Sequence, residues 1–290
     1  MSRTFEKALI SIAINAGGSD KTKAERVATA RRFYRYLQQN NIQIKHVDHI
    51  KTKHIEGFIA ERKANAGVGT LQNEMSHLRK ILEKSGRHKI ASSEALSNQS
   101  LGIDGRSRQG TKIACPEAVY QKAYAYVKGK DPQVAAVMQL QRTFGLRRQE
   151  AIRAGKSLKT WQKAITNGQN TVRLSYGAKG GRPRDILILD HEKALSAVKE
   201  ALSVMQNGQL LASDLKTAKN YYSHAVAEAG LTGEHSTHSL RYAWAQECVK
   251  TLEQKGYERE EALALTSQYL GHGDGRGRWL KHVYMQGMEE

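Results

Sequence analysis

TVRLSYGAKGGRPRDILIL, residues 171 to 189, is where the apolar pattern of this 290-residue chain changes. Val172, Leu174 and Tyr176 alternate with polar neighbours. Beyond the basic, Gly-rich run GAKGGRPR, Ile186 and Ile188 fall on one face, with Leu187 and Leu189 on the other. A period of two on each side of a turn-forming segment predicts a β-hairpin with a long basic tip. On either side of it the spacing is helical. CPEAVYQKAYAYVKGK opens with Pro116 in a good first-turn position, and DPQVAAVMQLQRTFG offers Asp131 as cap, Pro132 as first helical residue and Gly145 as terminator. Helical patterns return from residue 191 to the end. Residues 113–290 are therefore expected to form an α+β domain, mainly helical with one small sheet.

Residues 1–90 read as a separate helical domain. SDKTKAERVATARRFYRYLQQN places Ala24, Val27, Ala30, Tyr34 and Leu37 at helical spacing. IKTKHIEGFIAERKANAG gathers Ile55, Phe58 and Ile59, and TLQNEMSHLRKILEKSG repeats Leu71, Met75, Leu78 and Leu82, with Thr70 as its cap and Gly86 as its end. The polar faces carry Arg31, Arg35, Lys63 and Arg79, which are expected to meet DNA, as are Arg182 and Arg184 of the hairpin. Between the domains, residues 91–112 lose periodicity and are rich in Ser, Gly, Asn and Arg, the composition of a basic linker.

Charge narrows the partner. Lys and Arg number 46 against 28 Asp and Glu, a net charge of +18, which calls for a polyanion and first of all nucleic acid. No run of eighteen apolar residues spans a membrane, and the N-terminal apolar core is too short and broken for a signal peptide. A cytoplasmic place, at the bacterial nucleoid, is expected. Cys115 and Cys248 are far apart and match no metal spacing, so both read as reduced thiols. His235 and His238 of HSTH are poorly spaced for two ligands on one helix face and have no carboxylate or cysteine partner nearby in sequence, so no metal is expected.

Four basic clusters recur in the second domain: FGLRRQEAIRA, GAKGGRPR, HSLRYAWA and LGHGDGR. Singly each is weak. In order, with Tyr284 after the last of them, they resemble the tyrosine recombinases, or phage-type integrases. The matching residues are Arg147 and Glu150 in GLRRQEA, Lys179 in the hairpin, His238 and Arg241 in HSLR, His272 in LGH, and Tyr284 in HVYMQ. The resemblance implies a catalytic domain over 113–290 and a helical core-binding, SAM-like domain before it. The chain has twelve tyrosines, but Tyr269, Tyr257, Tyr222 and Tyr221 all precede the LGH motif, and only Tyr284 follows it.

The physical chemistry agrees with that resemblance. Attack on a DNA phosphodiester builds negative charge on the non-bridging oxygens, which the planar, permanently charged forks of Arg147 and Arg241 are suited to hold, with His238 and His272 as further donors. A phenol with an ordinary pKa near 10 needs a base or a positive field to become a nucleophile. The resemblance assigns the base to His238 and the protonation of the leaving 5′ oxygen to Lys179. It implies a 3′-phosphotyrosyl intermediate that conserves bond energy, so that rejoining requires no cofactor. The expected function is site-specific recombination, integrating or excising a mobile element. The expected partners are double-stranded DNA attachment sites, a homotetramer on DNA, and an accessory protein that bends DNA or sets direction. Two alternatives share the features: a topoisomerase or resolvase with the same chemistry, and a DNA-binding protein that has kept the fold without cutting.

The match departs from the family pattern in places. The connection from His272 to Tyr284 is longer, with the extra length in GDGRGR, and Tyr242 stands where many members have His. Six residues follow Tyr284, fewer than the segment many members dock onto a neighbouring subunit, so another surface, such as the helices near residues 243–265, is expected to link protomers.

Overall fold

A computed structural model describes residues 3–107, 109–110, 112–178, 181–211, 214–273 and 275–288. The fold is mainly α, and among these residues its one sheet has two strands. The chain divides into two compact units, Met1–Ser107 and Arg108–Glu290.

The first unit is built from α1 (Arg3–Asn15), α2 (Asp20–Gln39), α3 (Thr52–Arg62), α4 (Val68–Lys84) and the short α5 (His88–Ala91). Its core joins Phe5 and Leu9 to Phe33, Leu37, Phe58, Ile59, Met75 and Leu78. The rings of Phe33 and Phe58 meet edge to face at 5.5 Å. Two features of α2 escape a count of apolar spacing: Phe33 and Arg26 are buried, whereas Ala24 faces solvent. Arg26 turns inward because its Nη1 donates to the carbonyls of Ala13 and Gly17, at 2.9 and 3.0 Å, satisfying the open end of α1. The start of α4 lies earlier than its sequence suggests. Gly67 is the cap, and Thr70 lies inside the first turn. Its end is as expected: Gly86 is left-handed (φ 79°), and the Arg87 N–H reaches back to the Leu82 carbonyl at 2.8 Å. Beyond α5, Leu96, Leu101 and Ile103 are buried in this same core, so the compact unit runs on through the aperiodic stretch to Ser107.

The second unit contains α6 (Glu117–Lys130), α7 (Pro132–Phe144), α8 (Arg148–Ile152), α9 (Leu158–Thr166), β1 (Thr171–Leu174), β2 (Arg184–Leu187), α10 (His191–Val204), α11 (Leu215–Glu228), α12 (Thr237–Gln254), α13 (Arg259–Tyr269) and α14 (Gly277–Tyr284). Its central element is α7, whose stretch from Val134 to Met138 is fully buried as the helix packs on α6, α10 and α12. Asp131 caps it by accepting the N–H groups of Gln133 and Val134 at 2.9 and 3.0 Å, and Gly145 ends it in the left-handed region (φ 59°). The hairpin pairs β1 with β2 antiparallel, Val172 opposite Ile186 and Leu174 opposite Arg184. Trp161 of α9, fully buried, holds the hairpin to the core by donating its indole N–H to the Arg173 carbonyl at 2.8 Å. Tyr176 lies past the end of the strand and is half exposed, because the chain turns at the left-handed Gly177. No helix of the described residues is long and apolar enough to cross a membrane.

Candidate active site

Three chain reversals bring distant basic residues together. At the first, Gly145 lies so close to Trp244 that a Cβ there would come within 2.5 Å of the indole, and its left-handed backbone turns the chain out of α7. Arg147 then becomes the N-cap of α8, and Glu150, three residues on, accepts the Arg147 N–H at 2.8 Å. The second is the start of α12, which carries His238 and Arg241 one turn apart. The third follows α13, where Gly271 (φ 71°) lets the chain swing back and present His272. The last helix, α14, then delivers Tyr284.

These elements meet around Arg241, which is completely buried. Its Nη1 donates to the Gly145 carbonyl and its Nη2 to the Leu270 carbonyl, so the guanidinium ties the first reversal to the third. Its Nε lies 3.3 Å from the Tyr284 hydroxyl, and its Nη2 lies 3.4 Å from His272 Nε2. His272 Nε2 is itself 3.2 Å from the Tyr284 hydroxyl. Tyr284 is only 2% exposed. Tyr242 packs on its ring at 4.2 Å between centroids, while Trp279 lies 4.4 Å from the His272 ring and edge-on to Tyr284. Gln246 donates to the carbonyls of Tyr284 and Gln286, at 3.0 and 3.1 Å, and so fixes the end of α14.

One carboxylate serves three guanidiniums. Arg147 Nη1 donates to Glu150 Oε1 at 2.8 Å, Arg184 binds both Glu150 oxygens at 2.8 and 2.7 Å, and Arg241 stands 3.9 Å away. Burial alone would raise the Glu150 carboxyl, but Arg184, Arg241 and Arg147 outweigh it and hold the group at about 2. The cluster therefore keeps an excess of positive charge. Burial, helped by Arg241 and Arg147, depresses His238 to about 4 and His272 to about 3. Both imidazoles are neutral at neutral pH, and Arg241 itself is lowered to about 10 by burial. An excess of fixed cations, neutral imidazoles and a buried phenol form a site suited to an anion with an electrophilic centre. Among the described residues no group of three or more His, Cys, Asp or Glu side chains could hold a metal ion.

The residues singled out from sequence fall into three sets. Arg147, His238, Arg241, His272 and Tyr284 converge. Lys179 lies outside the described residues. Of the expected DNA contacts, Arg31, Arg35, Lys63 and Arg182 are exposed, but two need correction. Arg184 is 8% exposed and committed to Glu150 and, through Nε, to the Tyr269 carbonyl at 2.8 Å. Arg79 is committed to the Leu96 carbonyl at 2.6 Å and to Asn98 at 3.0 Å, and burial lowers its pKa. All three nitrogens of Arg184 are thus engaged within the protein, whereas Arg79 is half-buried and held through Nη2. The imidazole that touches the Tyr284 hydroxyl is His272, not His238, whose ring centroid is 6.2 Å from that of Tyr284. Sequence reasoning missed Trp279 and the inward role of Arg184. The second had a signal, since Arg184, Ile186 and Ile188 share one face of the strand period.

Comparison with known proteins places the geometry in context. Residues 102–247 match the family model described as integrase, and residues 1–91 match the model described as phage integrase, N-terminal. No curated protein matches the chain by sequence. Among solved structures, a lambda integrase dimer bound to a COC′ core site is 17% identical, with a TM-score of 0.64 over 98% of this chain and 77% of that one. The Tn1549 transposon integrase in complex with a circular intermediate DNA is 14% identical, with a TM-score of 0.62 over 97% and 95%. XerH site-specific recombinase bound to a palindromic difH substrate, a post-cleavage complex, is 15% identical, with a TM-score of 0.59 over 91% and 76%. At these identities the structural likeness establishes the fold.

Proposed function

Because the chain belongs to the integrase family, the site-specific tyrosine recombinases, we propose that Tyr284 is its nucleophile and that Arg147, Arg241, His238 and His272 form the pocket for the scissile phosphate. The observation that carries this reading is the shared contact of Arg241 and His272 with the Tyr284 hydroxyl, at 3.3 and 3.2 Å. In the proposed step the phenolic oxygen bonds to phosphorus and the bond from phosphorus to the 5′ oxygen breaks. The phenolic proton passes to His272. Although this imidazole is a weak base in the free chain, the negative charge of an arriving phosphate raises its pKa. Arg147 and Arg241 hold the charge growing on the non-bridging oxygens, and His238 donates to the same oxygens. Lys179 keeps the role implied by resemblance, protonation of the departing 5′ oxygen. The product is a 3′-phosphotyrosyl link, and reversal of the same step on a new 5′ hydroxyl rejoins DNA.

The proposed substrates are double-stranded DNA attachment sites, engaged by a homotetramer, with integration or excision of a mobile element as the outcome. An accessory bending or directionality protein and a place at the bacterial nucleoid belong to the same proposal. Residues 1–90 act as the core-binding domain and 113–290 as the catalytic domain. The dimer and tetramer DNA complexes of lambda integrase support this reading by analogy. The test is covalent capture. Wild-type protein is incubated with a library of nicked duplexes carrying a randomised core, and protein–DNA adducts are recovered from a denaturing gel. The expected result is an adduct that survives denaturation and yields an enriched core sequence. Tight binding with no adduct would overturn the assignment in favour of a DNA-binding protein that does not cut.

A further inference from the structure

Arg184 lies in the middle of the second unit, yet the proposed chemistry gives it no part. Its strand position points it inward, opposite Leu174 and on the same face as Ile186. It makes three contacts with three different segments. Its two terminal nitrogens bind both oxygens of Glu150 in α8, at 2.8 and 2.7 Å. Its Nε donates to the Tyr269 carbonyl at the end of α13, at 2.8 Å. Its Cδ lies where a Cβ on Gly271 would come within 2.9 Å, so its aliphatic stem seats the left-handed turn just before His272.

We propose that Arg184 is a positioning residue, which fixes Arg147 through Glu150 and His272 through the turn at Tyr269 to Gly271, so that both face the same phosphate. This rests on the function proposed above. A planar fork is needed for it, since two parallel bonds fix the rotation of the carboxylate and leave Oε1 aimed at Arg147. A lysine would supply charge without that orientation. The charged groups facing Glu150 are Arg147 at the start of α8, Arg184 on β2 and Arg241 on α12. Without Arg184 the largest pull on the carboxylate is lost while its burial remains. Its pKa then rises, and Glu150 protonates and releases Arg147 in a pH range where the wild type keeps it ionised.

The experiment compares wild type, Arg184→Met and Arg184→Lys by two readouts. The first is the rate of adduct formation at saturating DNA, on the duplex enriched from the randomised library, as a function of pH. Arg184→Met is expected to be slower by about 100-fold, the scale of a small misplacement of reacting groups. It is also expected to gain an acid limb, losing further rate as pH falls from about 8 to about 5. Arg184→Lys is expected to recover part of the rate and to move the limb back down. A thermal melt of each variant at each pH separates this limb from acid unfolding, and rates are compared only where the variant remains folded. The second readout needs no DNA: the imidazole nitrogen signal of His272 and the carboxyl carbon titration of Glu150, by NMR on the free protein. Both are expected to change in Arg184→Met. If Arg184→Met does not fold, Arg184→Lys carries both readouts. An unaltered His272 signal with an unaltered Glu150 titration overturns the inference, as does a wild-type rate with weakened DNA affinity, which would return Arg184 to the DNA surface. If wild type itself forms no adduct, the proposed chemistry fails, and the NMR readout still decides the positioning role.

Discussion

Arg241 Nε and the Tyr284 hydroxyl lie 3.3 Å apart, on two side chains that solvent hardly reaches. The guanidinium N–H is aimed at the phenolic oxygen, so it orients the group proposed to attack phosphorus. The same burial keeps the hydroxyl from water, and a phosphate reaches it only when a neighbouring side chain or α14 itself gives way. Orientation and shielding of the proposed nucleophile are thus properties of one contact.

Tyr284→Phe is expected to abolish the covalent adduct and to leave DNA affinity unchanged. The ring keeps its packing on Tyr242 and Trp279, and only the hydroxyl between Arg241 and His272 is lost. Adduct yield on a denaturing gel, set beside affinity in a binding titration, checks both halves. Persistent adduct would place the nucleophile on another residue.

Arg147 and Arg241 are expected to fail in different ways when replaced by Ala. Arg147 is partly exposed and bonded to Glu150 at the edge of the cluster. Arg147→Ala should slow cleavage by about 100-fold or more, the scale for removing one donor to a developing oxyanion, with little change in melting temperature. Arg241 is wholly buried, and its loss strips partners from the Gly145 and Leu270 carbonyls and from Glu150. Arg241→Ala should lose cleavage and also about 3 kcal/mol of stability. Paired cleavage rates and thermal melts separate the two, and equal melts would contradict the contrast in burial.

The parts of the molecule that local chemistry controls were legible before the structure. Asp131, Pro132 and Gly145 bound α7 as their residue types require, and the period of two at 171–189 marked the hairpin. Arg147, His238, Arg241, His272 and Tyr284 could be gathered because each sits in a recognisable motif. What could not be read depends on contacts between distant segments. Arg184 and Arg79 have the composition of surface cations and became internal braces, because strand register aims one at Glu150 and the packing of residues 96–98 against α4 engages the other. The exchange of His238 for His272 at the tyrosine hydroxyl follows from how α14 packs, which no spacing along the chain encodes.

Stability is expected to fall in two stages as pH drops. His238 and His272 titrate at about 4 and about 3 in the folded chain, below the ordinary 6.5. Between those values and 6.5 the unfolded chain binds more protons, so their contribution is complete above 6.5 and declines as pH falls through that window. Glu150 is held at about 2 against an ordinary 4.5. Its contribution, roughly 3 kcal/mol, is complete above 4.5 and is lost as pH falls toward 2. Melting temperature measured from about pH 8 to about pH 3 should show both stages, and His272→Gln should flatten the first. A profile flat between 6.5 and 4.5 would contradict the burial of the two imidazoles.

DNA binding is expected to weaken steeply with salt, because a chain of net charge +18 that neutralises phosphates releases their condensed counterions. The slope of log affinity against log salt counts those phosphates, which makes it a test of individual cations. Arg31, Arg35, Lys63 and Arg182 are exposed, and replacing any one by Ala should reduce the slope by about 1 while weakening binding across sequences alike. Arg184 is ion-paired with Glu150, and Arg79, though not neutralised, is turned to the Leu96 carbonyl and the Asn98 side chain. Arg79→Ala and Arg184→Ala should therefore leave the slope near its wild-type value, whatever they do to stability or rate. Titrations across a series of salt concentrations give the slopes directly. A reduced slope in either internal variant would mean that its guanidinium leaves its protein partners for a phosphate when DNA binds.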